Sequence, residues 1–254
     1  MAPTKASGGG MELAWATVIE GSETPAGDGD FGALRCVIET ASGELLAAVL
    51  KRDPPELVFA EALCSILLSR WGLVVPRPFL IKDTHGVSFA SADVGYPNLK
   101  QRVGLGPGYA EADQETAFRL ATTLVSSFPS TPLALAIDEA IDNRDRNLGN
   151  ILWDGTQEAW IDHALALGNG LHMDDLNKLC ILMVEAGRAD EALQGAIAQW
   201  LALNRSEVAS AALAVERLHN AGPWQALIVE RLEDLGARLT ARFPRPDDLL
   251  ADLR

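Results

Sequence analysis

A short polar segment in the middle of the chain contains residue types that can position a metal ion and a phosphate group. Asp145 and Asn150 are five residues apart, and Asp162 follows seventeen residues after Asp145, at the end of a short apolar stretch. Carboxylate and amide oxygens are hard ligands of the kind that Mg²⁺ prefers. Phosphoryl transfer depends mainly on positioning and charge neutralisation. The spacing therefore predicts that Asn150 and Asp162 hold Mg²⁺ against the phosphates of ATP, while Asp145 orients or deprotonates an acceptor hydroxyl.

The same intervals are typical of a known kind of catalytic loop. Protein kinases separate the catalytic Asp from an Asn by five residues, and their metal-binding Asp follows the next hairpin. Residues 151–153 and 159–162 are apolar and flank the tight turn Asp154-Gly155, which predicts such a hairpin. The alternative is an ordinary polar turn whose Asp and Asn side chains bind nearby backbone groups.

The N-terminal half contains residues that would complement this loop. Lys51 ends an apolar strand, where a lysine could contact the α- and β-phosphates of ATP, and Glu61 lies ten residues later in a predicted helix and could orient it through an ion pair. Gly27, Gly29 and Gly32 precede a strand, in the place of a loop that covers phosphates. Each feature is common in proteins, but their order along the chain predicts a nucleotide site.

At these residues the chain resembles the HipA-like kinases, bacterial members of the protein-kinase-like superfamily that also share features with the phosphatidylinositol kinases. The resemblance lies in residues 145–150 (Asp-Arg-Asn-Leu-Gly-Asn), in Ile161-Asp162-His163, and upstream in Lys51 and the segment FAEALCSILLSRWGLVVPRP. It spans roughly residues 13–185.

The chain departs from the related patterns at three places. Asn147 stands where the lipid kinases of the superfamily have His in an Asp-Arg-His-x-x-Asn loop, and His163-Ala164 follow the metal-binding Asp in place of Phe-Gly. The glycine loop also matches the family poorly. Glu56 lies near Glu61 and is an alternative partner for Lys51.

The resemblance implies an α+β, two-lobed protein-kinase-like fold. A β-rich N-lobe would cover residues 11–95 and a helical C-lobe residues 96–254, after a flexible tail at 1–10. ATP would lie between the lobes, with backbone groups near Ala92 and Val94 receiving the adenine edge by analogy with the kinase hinge. In the family, full-length toxins phosphorylate protein serines or a tRNA synthetase and pair with a DNA-binding antitoxin. The resemblance therefore implies ATP and Mg²⁺ as cofactors and a protein Ser or Thr as acceptor. It also allows an antitoxin or regulatory protein as a partner.

Hydrophobic periodicity predicts a matching order of elements. The first half reads as strands with one helix, and helices dominate from about residue 111. The predicted strands are 13–20, 34–40, 44–52, 78–83 and 87–94, and the predicted helices are 56–73, 115–128, 133–143 and three or four more after residue 173.

The composition of the chain limits the kinds of partner that it is expected to bind and the compartment in which it is expected to work. The chain has 35 acidic and 21 basic residues and a net charge of −14, which disfavours direct binding to nucleic acid or to an anionic membrane surface. No apolar stretch approaches 18 residues, so we expect no membrane span. Cys36, Cys64 and Cys180 form no C-x-x-C pair, which predicts neither a zinc site nor a disulfide framework and fits a reducing cytoplasm.

Three alternatives remain open at the level of sequence. The chain could be a pseudokinase that regulates a partner, a phosphotransferase for a small-molecule hydroxyl like the antibiotic phosphotransferases, or a nucleotidyltransferase on the same fold. The divergent glycine loop favours the pseudokinase, and the complete set of Lys51, Asp145, Asn150 and Asp162 opposes it. Self-phosphorylation at Ser126-Ser127 or Ser130-Thr131 is a further option for the acceptor.

Overall fold

The computed structural model describes residues 11–26, 32–84, 86–106, 108–170 and 177–243, and the α+β fold predicted from the sequence is confirmed. The strands are β1 (Ala14–Val18), β2 (Thr24–Pro25), β3 (Leu34–Thr40), β4 (Leu45–Lys51), β5 (Pro78–Asp83), β6 (Gly86–Ala92), β7 (Ile151–Trp153) and β8 (Glu158–Trp160). The helices are α1 (Pro55–Arg70), α2 (Leu99–Val103), α3 (Glu111–Ser127), α4 (Thr131–Ala140), α5 (Lys178–Glu185), α6 (Ala189–Ala202), α7 (Ser206–Glu216), α8 (Gly222–Glu233) and α9 (Leu235–Arg242).

Strands β1 to β6 form one sheet that closes on itself. The strand order is β1-β5-β6-β4-β3-β2, and β1 pairs in parallel with β5 and antiparallel with β3, so five strands complete a ring. Strand side chains alternate between the two faces of a sheet, and the alternate apolar residues fill the interior of this ring. They form a small core of their own: Ala16, Cys36, Ile38, Ala48, Leu50, Phe79, Ile81 and Ala90. The closed sheet fixes the end of β4, where Lys51 lies.

Helix α1 is buried on nearly every side. Residues 58–68 are all buried, because β5 and β6 pack on one side of the helix and α7 packs on another. Pro55 occupies its first turn, and Gly72, with φ of 95°, follows its end. The Trp71 indole N–H donates to the Asn204 carbonyl at 2.9 Å. Helix α1 therefore ties the closed sheet to the C-terminal helices.

The chain is mainly helical after β6. Asn98 caps α2 through a reciprocal capping box with Gln101. Helix α4 runs into residues 142–150, here called the polar loop, which end in a 3₁₀ turn and continue into the β7–β8 hairpin. The sequence predicted three or four helices after residue 173, whereas the described residues contain five.

Within the described ranges, no single helix is long and apolar enough to cross a bilayer. One bent pair, Asp113–Ser127 with Thr131–Ala140, reaches the required length and composition together, with an angle of 86° at the break.

Candidate active site

Lys51 and Asp162 form an ion pair that joins the closed sheet to the β7–β8 hairpin. The Nζ of Lys51 lies 2.6 Å from Oδ1 of Asp162, although 111 residues separate the two in the chain. Burial would lower the pKa of Lys51, but the negative charges of Glu61 and Asp162 outweigh burial and raise it. Asp162 has φ of 65°, in the left-handed region that non-glycine residues rarely adopt. The hairpin thus holds Asp162 in a strained conformation against a permanently charged lysine.

Glu61 lies in α1 and contacts the residue after Asp162. Its carboxylate accepts a hydrogen bond from the backbone N–H of His163, and its Oε1 lies 3.6 Å from Nδ1 of the His163 ring. Burial would raise the pKa of Glu61, but Lys51 and His163 lower it to about 2. The sequence predicted an ion pair between Glu61 and Lys51. In the structure Lys51 pairs with Asp162, and Glu61 acts on Lys51 through its charge while it fixes the backbone beside Asp162.

The side chains of Glu56 and His163 also bear on the role of Glu61. Glu56, the alternative partner for Lys51, is exposed in the first turn of α1. The buried His163 ring has no hydrogen-bond partner among the described residues. Glu61, rather than the exposed Glu56, is therefore the helix α1 carboxylate whose charge acts on Lys51.

Asp145 and Asn150 are held together by the polar loop itself. The Asn150 side-chain amide donates to the Asp145 carbonyl at 2.8 Å, and the Asn150 carbonyl accepts from the Ile161 N–H at 3.1 Å. Asn147 N–H also donates to the Asp145 carbonyl, at 2.7 Å. Since Ile161 directly precedes Asp162, Asn150 lies between the Asp145 and Asp162 segments. The four sequence-predicted residues Lys51, Asp145, Asn150 and Asp162 thus belong to one connected region.

The base of the polar loop is fixed by Asp138 in α4, which the sequence analysis did not single out. Arg146 is fully buried and donates to both Asp138 oxygens at 3.1 and 2.8 Å, and to the Ile161 carbonyl at 2.5 Å. The Asn143 amide donates to Asp138 at 2.9 Å. Such a bidentate pair is strong and directional. Arg146 therefore positions the loop and the end of the hairpin from inside the protein.

The C-terminal helices anchor the start of the same loop. Asp142 pairs with Arg144 at 3.2 Å, with Arg231 at 3.1 Å and with Arg242 at 3.2 Å. Glu139 also receives both Arg231 and Arg242. Burial raises the pKa of Glu139, and the two guanidinium groups oppose that rise. These contacts explain the density of Asp and Arg in the polar loop, since much of it is structural.

Gly32 precedes β3, and residues 92–94 lie at the end of β6 and just after it. Gly32, with φ of 62°, comes two residues before Leu34, which pairs with Leu50 next to Lys51. Gly27 and Gly29 lie outside the described residues. Directly after β6, the Asp93 N–H donates to the Ala47 carbonyl at 2.8 Å. In the described part of the chain, no hydrogen bond uses the backbone of Val94. The backbone groups of Val94 are therefore available to a ligand, whereas the N–H of Ala92 already donates to the Arg77 carbonyl at 2.9 Å.

Two polar residues near the site were missed by sequence reasoning. Lys178, in the first turn of α5, forms an ion pair with Oδ1 of Asp145. Asp53 lies near Lys51, and burial together with the charges of Asp162 and Glu61 raises its pKa. Neither residue is marked by a local sequence pattern. Lys178 is 33 residues from Asp145 in the chain, and Asp53, which precedes two prolines, predicts only a turn.

The oxygen atoms at the site fit Mg²⁺. Because the Asn150 amide nitrogen donates to Asp145, its Oδ1 is directed elsewhere as an acceptor. Among the described residues, neither this oxygen nor Oδ2 of Asp162 accepts a hydrogen bond. No cluster of three His, Cys, Asp or Glu side chains forms a metal cage in the described ranges. The Asn150 and Asp162 oxygens match the needs of Mg²⁺, which uses one or two protein oxygens and completes its shell with water and substrate phosphates.

Comparison with known proteins places this fold among kinases. No protein-family model matches the sequence, and no curated protein sequence matches it. The crystal structure of the Helicobacter pylori proinflammatory kinase CtkA is similar with a TM-score of 0.56 and 14% identity, over 90% of this chain and 97% of that chain. HipA, in the Shewanella oneidensis toxin–antitoxin complex of HipA, HipB and operator DNA, is similar with a TM-score of 0.50 and 11% identity, over 87% of this chain and 68% of that chain. The resemblance predicted from the polar loop is therefore confirmed at the level of fold: the chain is folded like the HipA-like kinases.

Proposed function

We propose that this protein is a kinase that transfers the γ-phosphate of ATP to a hydroxyl group. The observation that carries the proposal is the meeting of Lys51 with Asp162 across 111 residues, beside a loop that joins Asp145 to Asn150. A closed sheet and a hairpin bring these residues together, and their types match the requirements of phosphoryl transfer. The two kinase folds with similar structure support the same chemistry.

Each residue has a distinct part in the proposed reaction. Asn150 and Asp162 would hold Mg²⁺, which when bound would neutralise charge on the phosphates. Lys51 turns from Asp162 to the α- and β-phosphates, since a lysine ammonium can exchange one anionic partner for another. Asp145 accepts the proton of the acceptor hydroxyl as the hydroxyl oxygen bonds to the γ-phosphorus. The bond from that phosphorus to the bridging oxygen breaks, and ADP leaves with the electron pair.

The acceptor that the proposal favours is a serine or threonine of another protein segment. Self-phosphorylation at residues 130 and 131 fits the structure poorly. The Thr131 hydroxyl is buried and donates to the Val125 carbonyl at 2.5 Å, and the Ser130 hydroxyl donates to Glu158 at 2.5 Å while it accepts from the Trp160 indole. The Thr131 hydroxyl therefore belongs to the contact between α4 and α3, and the Ser130 hydroxyl to the contact between the start of α4 and the hairpin.

A regulatory protein partner is part of the same proposal. The similar HipA structure is a complex with HipB and operator DNA. The net charge of −14 of this chain opposes its own contact with phosphate backbones. In an assembly of that kind, we propose that the partner makes the DNA contacts.

Calorimetric titration with Mg²⁺-ATP tests the proposal. The wild-type chain should bind ATP in a Mg²⁺-dependent manner, and Asp162→Asn should weaken that binding at least about tenfold, because the amide removes the charge that Mg²⁺ requires. Asp190→Asn, an exposed acid in the first turn of α6, is the matched control and should bind like wild type. Equal binding by wild type and Asp162→Asn, or absence of binding by wild type, would contradict the proposal.

A further inference from the structure

An apolar cavity of about 420 Å³ lies beside the polar loop, and Asn147 and Leu148 of that loop line it. Its apolar walls come from α3, α5, the loop after α2 and the 3₁₀ turn of the polar loop, namely Leu105, Phe118, Leu148, Ile181 and Leu182. Three of the five, Leu105, Phe118 and Ile181, are only partly buried. A concave apolar surface of this size is typical of a ligand-binding site.

The cavity is continuous with the proposed reaction centre. Asn147 and Lys178 both line it, and both also contact Asp145. Lys178 forms an ion pair with Oδ1 of Asp145, and the Asn147 amide lies 3.5 Å from the same oxygen. A molecule in the cavity would therefore have a group within reach of the carboxylate that takes the acceptor proton.

The rim of the cavity is positively charged, in contrast with the chain as a whole. Lys100 and Lys178 line it, whereas the whole chain carries a net charge of −14. The aliphatic stem of Lys100 passes over Gly149, where a side chain would meet it at 3.8 Å. Lys178 is engaged by Asp145, but within the described ranges the side-chain ammonium of Lys100 has no ion pair or hydrogen bond. Lys100 is therefore available to an anionic group of a bound molecule.

We propose that this cavity binds the acceptor, a peptide segment in which the phosphorylated Ser or Thr is flanked by a large apolar residue and an acidic residue. This inference rests on the proposed kinase function. The apolar side chain enters between Leu105, Phe118 and Ile181, and the acidic side chain contacts Lys100. The hydroxyl then reaches Asp145 past Lys178.

The chemistry of the walls favours a peptide over a small polar acceptor. Apart from the two lysines, Asn147 is the one polar side chain among the described residues that line the wall. A peptide needs little more, because one buried side chain anchors it while its backbone remains in solvent. The lysines also oppose the cationic sugars that antibiotic phosphotransferases modify, since like charges on both partners repel.

A positional library of serine peptides with labelled ATP and Mg²⁺ tests this inference. Wild type should favour a large apolar residue at one position and Asp or Glu at another. Lys100→Glu should reverse the acidic preference to a basic one, with about a tenfold change in relative rate at that position. Lys82→Glu, an equally exposed lysine in β5, is the matched control and should keep the wild-type profile.

Calorimetry with Mg²⁺-ATP on the same proteins distinguishes a failure of the peptide site from a failure of the kinase proposal. ATP binding by wild type and by Lys100→Glu, together with the reversed preference, supports the inference. ATP binding without phosphorylation of any peptide, or with the same profile in wild type and Lys100→Glu, overturns the peptide site and leaves the kinase proposal standing. Absence of ATP binding by wild type overturns both.

Discussion

The two sides of the polar loop are held by different kinds of ion pair. On one side are the lysine pairs, Lys51–Asp162 and Lys178–Asp145, with lysine side-chain exposures of 18% and 45%. On the other side are the arginine pairs, formed by Arg146 with Asp138 and by Arg231 and Arg242 with Glu139, whose side chains are at most 13% exposed.

The difference follows from the chemistry of the two cations. A guanidinium group forms several directional hydrogen bonds in a fixed plane, so a buried arginine pair defines the position of the backbone around it. An ammonium group is a compact charge on a flexible stem and can change partners. The arginine pairs therefore fix the polar loop from inside the protein, and the lysine pairs hold Asp145 and Asp162 through contacts that a substrate can replace. Four predictions test this contrast between arginine and lysine pairs, in order from the largest expected effect to the smallest.

The largest effect on stability is expected at the base of the loop. Asp138→Ala leaves the guanidinium of Arg146 buried without a counter-charge and should lower the free energy of unfolding by about 3–5 kcal/mol. Urea denaturation followed by circular dichroism measures this change.

Asp145→Ala is the matched substitution on the lysine side. It removes a carboxylate whose partner is part-exposed and should change the free energy of unfolding by less than about 1 kcal/mol, while it abolishes phosphate transfer. Similar losses of stability in the two variants would contradict the division into fixing and exchangeable pairs.

A pH effect is expected at Glu61, whose pKa is lowered to about 2 from an ordinary value of 4.5. A carboxylate with a lower pKa in the folded state stabilises the protein above the unfolded value, and this contribution is lost as the pH falls from about 4.5 toward 2. Wild type should therefore lose more stability than Glu61→Gln across that interval.

Urea denaturation at several pH values measures that difference. Glu56→Gln, the exposed acid of the same helix, should follow wild type. Parallel pH profiles for wild type and Glu61→Gln would show that Lys51 and His163 do not stabilise the Glu61 carboxylate.

The smallest effect is expected for the most exposed lysine of the site. Lys178→Ala should change the free energy of unfolding by less than about 1 kcal/mol, and salt at roughly 0.5 M should reduce the difference further. Denaturation at low and high salt measures it. A loss as large as that of Asp138→Ala would place Lys178 among the structural pairs.

Much of the fold was readable from local patterns. The spacing of apolar residues predicted β3 and β5 at their observed bounds and placed β4 and α1 within a few residues. Alternation and helical periodicity report which faces of an element are buried, and these are local properties of the chain. The two-residue strand β2 and the short helix α2 were not predicted, because elements of that length contain too few residues for a period to show.

The sequence by itself determined the residue types of the site and the fold class. Asp145 and Asn150 lie within one loop, and Asp162 follows one hairpin, so their intervals are a local property that the sequence states directly. Lys51 could be placed because it ends a strand.

Only the tertiary structure decided the partner of each charge. Lys51 pairs with Asp162, Glu61 contacts His163, and Lys178 reaches Asp145 from another helix. It also showed that Arg146 is buried against Asp138. The physical reason is that these contacts join residues that are far apart in the chain. They depend on how the sheet closes and how α1 and α4 pack, and no interval in the sequence records that packing.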